Sequence, residues 1–167
     1  RKNSGKRGAI EMSFGMIFSI ILIVIFLGFA FYGIKTFLSF QNNAKAVAFY
    51  EDLQADVNNV WESSQSSETQ EYAIPSNAES VCFVDFESDA EGSDSLIYSE
   101  LRMADYGTEN LVFYPVKFTG FESKEIDHLD IGETTNEDNP LCITTNNGKV
   151  TFRLKKGPGE ALVTVSR

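Results

Sequence analysis

The pattern of apolar and polar positions begins with one long run that contains no charged residue. This run covers residues 12–34 and is rich in Ile, Phe, Leu and Val. As a helix it would span about 35 Å at 1.5 Å per residue, which is enough to cross a hydrocarbon core of about 30 Å. Lipid offers a backbone no hydrogen-bond partners, so a single crossing segment must be helical. We expect a retained membrane anchor, because a cleaved secretory signal has an apolar region of only about 7 to 15 residues.

The pattern then becomes amphipathic. Apolar residues recur every three or four positions, the period that places them on one face of a helix. These positions are Phe37, Phe40, Ala44, Val47, Tyr50, Leu53, Val57 and Val60. We therefore predict one helix over residues 9–62, with a membrane span at 12–34 and an amphipathic continuation at 35–62. We expect the apolar stripe to pack on the C-terminal part of the same chain, and the alternative is a separate partner.

The C-terminal part consists of short runs rich in aromatic and β-branched residues, separated by turn residues. The runs are ESVCFVDFE, NLVFYPVKF, LCITT, KVTFRLKK and EALVTVS. Such runs are typical of an antiparallel sheet. The sequence TTNNGKVTFRL predicts a hairpin that turns at Asn147-Gly148, GPG at 157–159 predicts the next turn, and SLIYSELRMADYG predicts a short helix. The predicted fold class is α+β, with a long N-terminal transmembrane and amphipathic helix, a linker at 63–78, and a small antiparallel β-rich head at 79–167.

Charge gives the orientation of the predicted anchor. The segment before the span carries Arg1, Lys2, Lys6 and Arg7, and clusters of this kind stay on the cytoplasmic side. Residues 36–167 carry 9 Lys and Arg against 23 Asp and Glu, a net charge of −14. We therefore expect a single-pass membrane protein with a cytoplasmic N-terminus and an extracellular head. An acidic head repels nucleic acid, so a nucleic-acid partner is not expected.

Two cysteines, Cys82 and Cys142, each lie inside a predicted strand. In an extracytoplasmic head they are able to form one disulfide, which would close a loop of about 60 residues and stabilise the fold by about 4 kcal/mol. The alternative is two separate buried thiols that act as small apolar core residues.

The sequence contains no pattern that indicates catalysis. The one histidine, His128, has neighbouring carboxylates but no nucleophile signature. No phosphate-binding loop, zinc-protease motif or CxxC is present. We therefore expect neither an enzyme nor a cofactor. A weak alternative is a calcium loop in DFESDAEGSD, although its spacing does not match an EF-hand. The candidate ligands are Asp85, Glu87, Asp89, Glu91 and Asp94.

The junction between the basic segment and the apolar run reads KRGAIEMSF. Followed by an apolar helix that becomes amphipathic, it resembles the class III signal and N-terminal helix of type IV pilins, especially the archaeal kind. RGAIE is also similar to the start of the TadE group of pilin-like proteins. The resemblance covers about 30 residues, and it implies a leader at 1–8 with Lys6 and Arg7 as its basic pair. Many bacterial pilins carry a glutamate at the fifth mature position, whereas Glu11 would be third here.

The resemblance also implies a function. A pilin-type peptidase on the cytoplasmic side would cut between Gly8 and Ala9 and leave the apolar helix intact. That helix would serve first as the membrane anchor and then, packed against other copies of itself, as the core of an extracellular filament. Small residues on the helix would allow close approach of neighbouring helices. They are Gly15, Ser19, Gly28, Ala30 and Gly33. The alternative is an uncut anchor that stays in the membrane while its acidic head binds a partner in an envelope complex.

Overall fold

The structure is a computed structural model that describes residues 14–104, 107–119, 121 and 123–167. It has the predicted α+β fold, in which a long apolar N-terminal helix is followed by small antiparallel sheets. The chain divides into two compact units, residues 1–39 and residues 40–167, and the long helix contributes residues to both. The second unit is the head.

The elements follow one another in a simple order. Helix α1 covers Phe14–Glu62. The strands in the described part of the chain are β1 Ser66–Ala73, β2 Ser80–Phe83, β3 Leu111–Tyr114, β4 Leu141–Thr144, β5 Lys149–Lys156 and β6 Thr164–Ser166. Single-turn helices lie between them: α2 Tyr98–Leu101, α3 Val116–Thr119 and α4 Ile131–Thr134, with 3-10 turns at Ser95–Ile97 and Arg102–Ala104.

In the head, the C-terminal half of α1 forms part of the main core. Its buried residues are Ala46, Phe49, Leu53, Val57 and Val60, at the three- and four-residue spacing of one helix face. The predicted stripe is correct at the last three of these residues, and Tyr50, also predicted, is partly buried and packs against the same core. Val47 is 54% exposed, whereas Ala46 and Phe49 are buried in its place. The stripe therefore turns away from the predicted positions in its first half, and it packs on the same chain, as expected.

The strands form two three-stranded antiparallel sheets with the orders β1-β5-β6 and β3-β2-β4. Strand β5 alternates between exposed and buried residues, and Val150, Phe152 and Leu154 point into the core. All four residues of the central strand β2 are buried. Val81 and Phe83 belong to the main core, which joins both sheets to α1.

The opposite face of β2 belongs to a second, smaller core. Cys82 and Val84 pack there with Tyr98 and Leu101 from the helical segment and with Val112 from β3. Successive side chains of a strand point to opposite faces, so one short strand supplies both cores. The prediction of a short helix after residue 94 is correct. Of its apolar residues Leu101 is buried, whereas Leu96 is 90% exposed and Met103 is 63% exposed.

The structure differs from the predicted linker at 63–78. Strand β1 lies inside this range and pairs with β5 over its whole length, from Ser66 opposite Lys156 to Ala73 opposite Lys149. The polar composition suggested a connection, but an edge strand tolerates polar side chains because only part of it faces the core. In β1 only Tyr72 is buried.

The predicted hairpin at Asn147-Gly148 is half correct. Both residues have positive φ, 53° and 75°, and Asn146 and Lys149 exchange backbone hydrogen bonds at 2.7 and 3.1 Å, as a tight hairpin turn requires. The two strands that meet at this turn nevertheless lie in different sheets. Strand β4 pairs with β2, whereas β5 pairs with β1 along its whole length and with β6 from Arg153 to Lys155.

Two other predicted strands are shorter than their apolar runs. The run at 110–118 stays extended only to Tyr114, because Pro115 has no N–H to donate and helix α3 follows. The run at 160–166 forms strand only from Thr164, after the predicted turn at 157–159, where Gly159 has φ 83°. Just before the strand, Val163 makes a single parallel bridge to Leu129.

Candidate functional site

The apolar part of α1 is the most unusual surface of the protein. Every residue from 14 to 39 is exposed, and within this range Phe29, Phe31 and Tyr32 are each at least 70% exposed. A soluble protein rarely exposes a continuous apolar surface of this size. By length and composition alone, α1 is able to cross a membrane. An exposed apolar surface of this size is typical of membrane or protein contact sites.

The predicted small residues lie on this helix, and the glycines are not required by crowding within the chain. Apart from its two chain neighbours and the adjacent backbone of the helix itself, a Cβ atom built on Gly28 or Gly33 would meet nothing within 4 Å. Near Gly28 the side chains of Ile25, Phe29 and Tyr32 line a shallow apolar groove of about 440 Å³. Ser19 satisfies its own hydroxyl by donating to the Gly15 carbonyl oxygen at 2.8 Å. The helix surface is thus indented at Gly28 without any partner from its own chain.

The predicted cleavage site lies outside the described residues. The described residues begin at 14 and therefore do not include Lys6, Arg7, Gly8, Ala9 or Glu11. Their roles remain predictions from the resemblance.

The C-terminal end of α1 is fixed to the head by polar contacts. Lys156 donates from Nζ to the carbonyl oxygens of Trp61 and Ser63, the latter at 3.1 Å. The negative end of the helix dipole also stabilises a cation at this position. The Trp61 ring stacks on the ring of His128, with centroids 3.8 Å apart, and its Nε1 donates to the Ala161 carbonyl oxygen at 3.0 Å. His128 therefore has a packing role at the helix end.

The disulfide prediction is confirmed. Cys82 and Cys142 are bonded, and they lie directly opposite each other on the neighbouring strands β2 and β4. The Cys142 N–H donates to Oδ2 of Asp94 at 3.2 Å instead of to a strand. Both cysteines are buried in the second core. The bond therefore joins the centre of one sheet to its edge and closes a segment with a sequence separation of 60 residues.

Arg167 connects this disulfide to two carboxylates. Its guanidinium pairs with Asp94 at 2.7 Å and with Asp138 at 2.9 Å, and it also donates to the Cys142 carbonyl oxygen at 3.2 Å. Asp138 accepts from the backbone N–H of Ser93 at 2.7 Å and from the Ser93 hydroxyl. These hydrogen bonds, together with the positive charge of Arg167, hold the pKa of Asp138 below its usual value. The network ties the acidic segment to the end of β6.

The acidic segment that suggested calcium is organised around the side chain of Asn139. Its Nδ2 donates to the carbonyl oxygens of Asp85 at 2.9 Å and Asp89 at 3.0 Å. Its Oδ1 accepts from the Asp85 N–H at 3.1 Å, and the residue is 2% exposed. The Tyr98 hydroxyl donates to the Ser88 carbonyl oxygen at 2.8 Å. Buried N–H and O–H donors therefore satisfy carbonyl oxygens that a calcium loop would present to the ion.

The candidate calcium ligands are not brought together. Within the part of the chain that the structure describes, no group of three or more His, Cys, Asp or Glu side chains is arranged to hold a metal ion. Asp94 is committed to Arg167, and Asp85 accepts from the Glu87 N–H at 2.9 Å and from the Ser88 hydroxyl at 2.7 Å. Glu87, Asp89 and Glu91 are exposed. The spacing that suggested a metal loop thus belongs to a turn whose carboxylates cap backbone groups or face solvent.

The polar residues that organise the head were missed by the sequence reasoning. Asn139, Arg167 and Lys156 act through contacts with residues far away in the chain, so no local pattern reveals them. The one available signal was the NPLC sequence, which places a turn-forming Asn-Pro directly before a predicted strand. A scan against protein-family models, a search of curated proteins and a search of solved structures each found no match to this chain.

Proposed function

We propose that this chain is a structural subunit of a type IV pilin-like surface filament, anchored and assembled through its apolar N-terminal helix. One observation carries the proposal. A single helix, α1, supplies buried residues to the head core from Ala46 to Val60 and is largely apolar and exposed from 14 to 39. The element that helps to form the head core thus also carries an exposed apolar surface.

The exposed surface suits both environments that a pilin-like subunit would meet. In the membrane, lipid covers the apolar side chains. In a filament, helices from other copies would cover them, and close packing would replace the contacts with lipid. The open surface at Gly28 and Gly33 would let neighbouring helix backbones approach closely.

The head has properties that fit exposure outside the cell. It contains a buried disulfide, a bond that persists in oxidising surroundings. The protein has a net charge of −10, which opposes unspecific association of free heads. The part of the helix at residues 14–34 carries no charged residue and does not share this repulsion.

The alternative is a membrane-retained protein whose acidic head binds a partner in an envelope complex. The same exposed helix would then stay in lipid. The two functions differ in one step, because only the filament requires removal of the basic leader. Burying its unpaired charges in a helical core would cost several kcal/mol for each charge.

The test is a substitution at the predicted cleavage position. A pilin-type peptidase needs a residue without a bulky side chain before the cut, so Gly8→Val should block processing while leaving the span at 12–34 able to insert. Gly5→Val is the matched control, because it makes the same change three positions earlier in the leader. Each variant is expressed in the native host, and intact mass and N-terminal sequence are measured in membrane and sheared surface fractions.

For wild type and Gly5→Val we expect a chain that starts at Ala9 and appears in the sheared fraction. For Gly8→Val we expect an uncut chain that is confined to the membrane. If all three chains keep the same mass, retain Arg1 and support the same surface structures, the filament proposal is wrong and the membrane-retained protein is correct.

A further inference from the structure

Strand β1 is an open edge of its sheet. It has β5 on one side and no strand on the other within the described part of the chain. Its pairing with β5 is unbroken over eight residues, so it contains no bulge. Its sequence, SSETQEYA, also lacks the Lys and Pro residues with which natural proteins commonly protect an edge from pairing with another chain.

The alternation of hydrogen bonds between β1 and β5 identifies the backbone groups of β1 that face away from β5. Ile74 donates its N–H to the Gly148 carbonyl oxygen at 3.0 Å, one position beyond the last residue pair of β1 and β5. Bonded pairs alternate in an antiparallel ladder, so the even-numbered residues of β1 bond to β5. Lys149, opposite Ala73, uses its N–H and C=O for Asn146, which confirms that the pair of Ala73 and Lys149 is not hydrogen-bonded. The N–H and C=O groups of the odd-numbered residues therefore point away from the sheet. These residues are Ser67, Thr69, Glu71 and Ala73.

We propose that β1 pairs antiparallel with β1 of a second copy of this chain, with Thr69 opposite Thr69 on the two-fold axis. This register uses the outward-pointing groups of Ser67, Thr69 and Glu71. It also places Ser67 opposite Glu71 and Gln70 opposite Glu68, so no carboxylate lies directly opposite another. Within its own chain Glu71 pairs with Lys149 at 2.6 Å, and Glu68 accepts from Ser66 and Gln70. Thr pairs across neighbouring strands are stabilising.

Two-fold registers centred on residues 68, 70 or 71 bring less favourable side-chain pairs together. Centring the pair on residue 68 or residue 71 places a glutamate opposite its own copy, and like charges directly opposite each other are destabilising. Centring it on residue 70 places Glu68 opposite Tyr72, whose hydroxyl already donates to Asp56 at 2.8 Å. The inference does not depend on filament formation, because it concerns the edge of the head and not the apolar helix.

Cysteine cross-linking of the full chain in detergent micelles tests the register. In Thr69→Cys the two introduced thiols would face each other across a hydrogen-bonded pair whose Cα atoms lie about 5.5 Å apart, within the Cα separation that disulfides bridge. Both native cysteines are already bonded, so the introduced thiol is the free one. Ser67→Cys is the matched control, because in the same register its two copies are four positions apart, about 14 Å.

We expect mild oxidation to convert Thr69→Cys into a covalent dimer, seen on a non-reducing gel, and to leave Ser67→Cys monomeric. Unchanged thermal midpoints establish that both variants fold, as expected for exposed side chains. Equal cross-linking of the two variants, or no dimer from Thr69→Cys, would overturn the proposal.

Charge at position 67 gives a second, independent measurement. In the Thr69→Cys background, Ser67→Glu places two like-charge pairs in the contact and should slow cross-linking about fivefold. Ser67→Lys places an ammonium opposite Glu71 and should accelerate it. If the two charges change the rate equally or not at all, Ser67 does not face Glu71 of the second copy and the register is wrong.

Discussion

The side-chain amide of Asn139 and the backbone of Asp85 exchange two hydrogen bonds. Asn139 Nδ2 donates to the Asp85 carbonyl oxygen at 2.9 Å, and the Asp85 N–H donates to Asn139 Oδ1 at 3.1 Å. These residues are 54 positions apart. The buried Asn139 amide thus pairs with the backbone N–H and carbonyl groups of Asp85, as a neighbouring strand would. The same amide also donates to the Asp89 carbonyl oxygen. The segment has a fixed shape because its inner polar groups are satisfied by protein.

Asn139→Ala should therefore destabilise the head strongly. The substitution removes the partner of the Asp85 N–H, the Asn139 donor to the Asp89 carbonyl oxygen and one of two donors to the Asp85 carbonyl oxygen, which keeps the Tyr98 hydroxyl. A buried unsatisfied group costs about 1 to 3 kcal/mol. We expect the free energy of unfolding to fall by about 2 to 4 kcal/mol in urea titrations followed by circular dichroism. Asn136→Ala, three residues earlier and exposed, is the control and should change it by less than about 0.5 kcal/mol. A similar small change for both variants would contradict the role of Asn139.

The disulfide should contribute mainly through the unfolded chain. Cys82 and Cys142 enclose a segment with a separation of 60 residues, so the bond removes much conformational freedom from the unfolded state. Replacing both residues by alanine should lower the free energy of unfolding by about 4 kcal/mol. Digestion of the native protein without reductant should release one linked peptide pair, and two freely alkylatable thiols in the native protein would show that the bond is absent.

The boundary of an independently stable head should lie within α1. A fragment that starts at residue 73 lacks most of β1 and the five buried residues of the helix. Loss of buried Leu, Val and Phe side chains typically costs 2 to 5 kcal/mol for the larger ones, and the whole stability of a domain is about 5 to 15 kcal/mol. We therefore expect residues 40–167 to unfold cooperatively on heating and residues 73–167 to give no cooperative transition. Cooperative unfolding of the shorter fragment would show that the helix is dispensable.

The fold class follows from the sequence because it rests on local patterns. The apolar run at 12–34 and the helical spacing up to Val60 act within a few residues of each position, and they predict the end of α1 at Glu62. All five predicted strands contain apolar residues that the two cores bury, which include Val81, Phe113 and Ile143. A residue pattern is sufficient here because burial itself is periodic.

The rest depends on contacts between distant residues. Strand β1 has one buried residue, Tyr72, so its composition resembles that of a loop, and β5 alone defines it as a strand. The turn at Asn147-Gly148 has the predicted geometry, but its flanking strands join different sheets, because β4 pairs with the distant β2 and β5 with the distant β1. The acidic segment contains enough carboxylates to suggest a calcium loop. The residue that hydrogen-bonds to its backbone carbonyl oxygens is Asn139, which lies 50 or more positions away in the sequence.

The pairing of Tyr72 with Asp56 should make stability fall at alkaline pH. Burial raises the pKa of the Tyr72 phenol, and the neighbouring Asp56 carboxylate, which accepts its hydrogen bond at 2.8 Å, raises it further. The folded state therefore retains a proton that the unfolded chain releases near pH 10. A group with a raised folded pKa contributes its full stability below the unfolded pKa and loses it as pH rises above that value.

In wild type, urea midpoints should therefore decline above about pH 10 more steeply than in Tyr72→Phe, which has no proton to lose at this position. At pH 7 wild type should be the more stable of the two proteins by about 1 kcal/mol, because Tyr72→Phe lacks the hydrogen bond to Asp56. Asp56→Asn is the matched control: it keeps the phenol but removes the nearest negative charge, so its alkaline decline should lie between the other two. Parallel declines in all three proteins would mean that Tyr72 ionises as easily in the folded state as in the unfolded chain, and that its burial beside Asp56 has no electrostatic effect on stability.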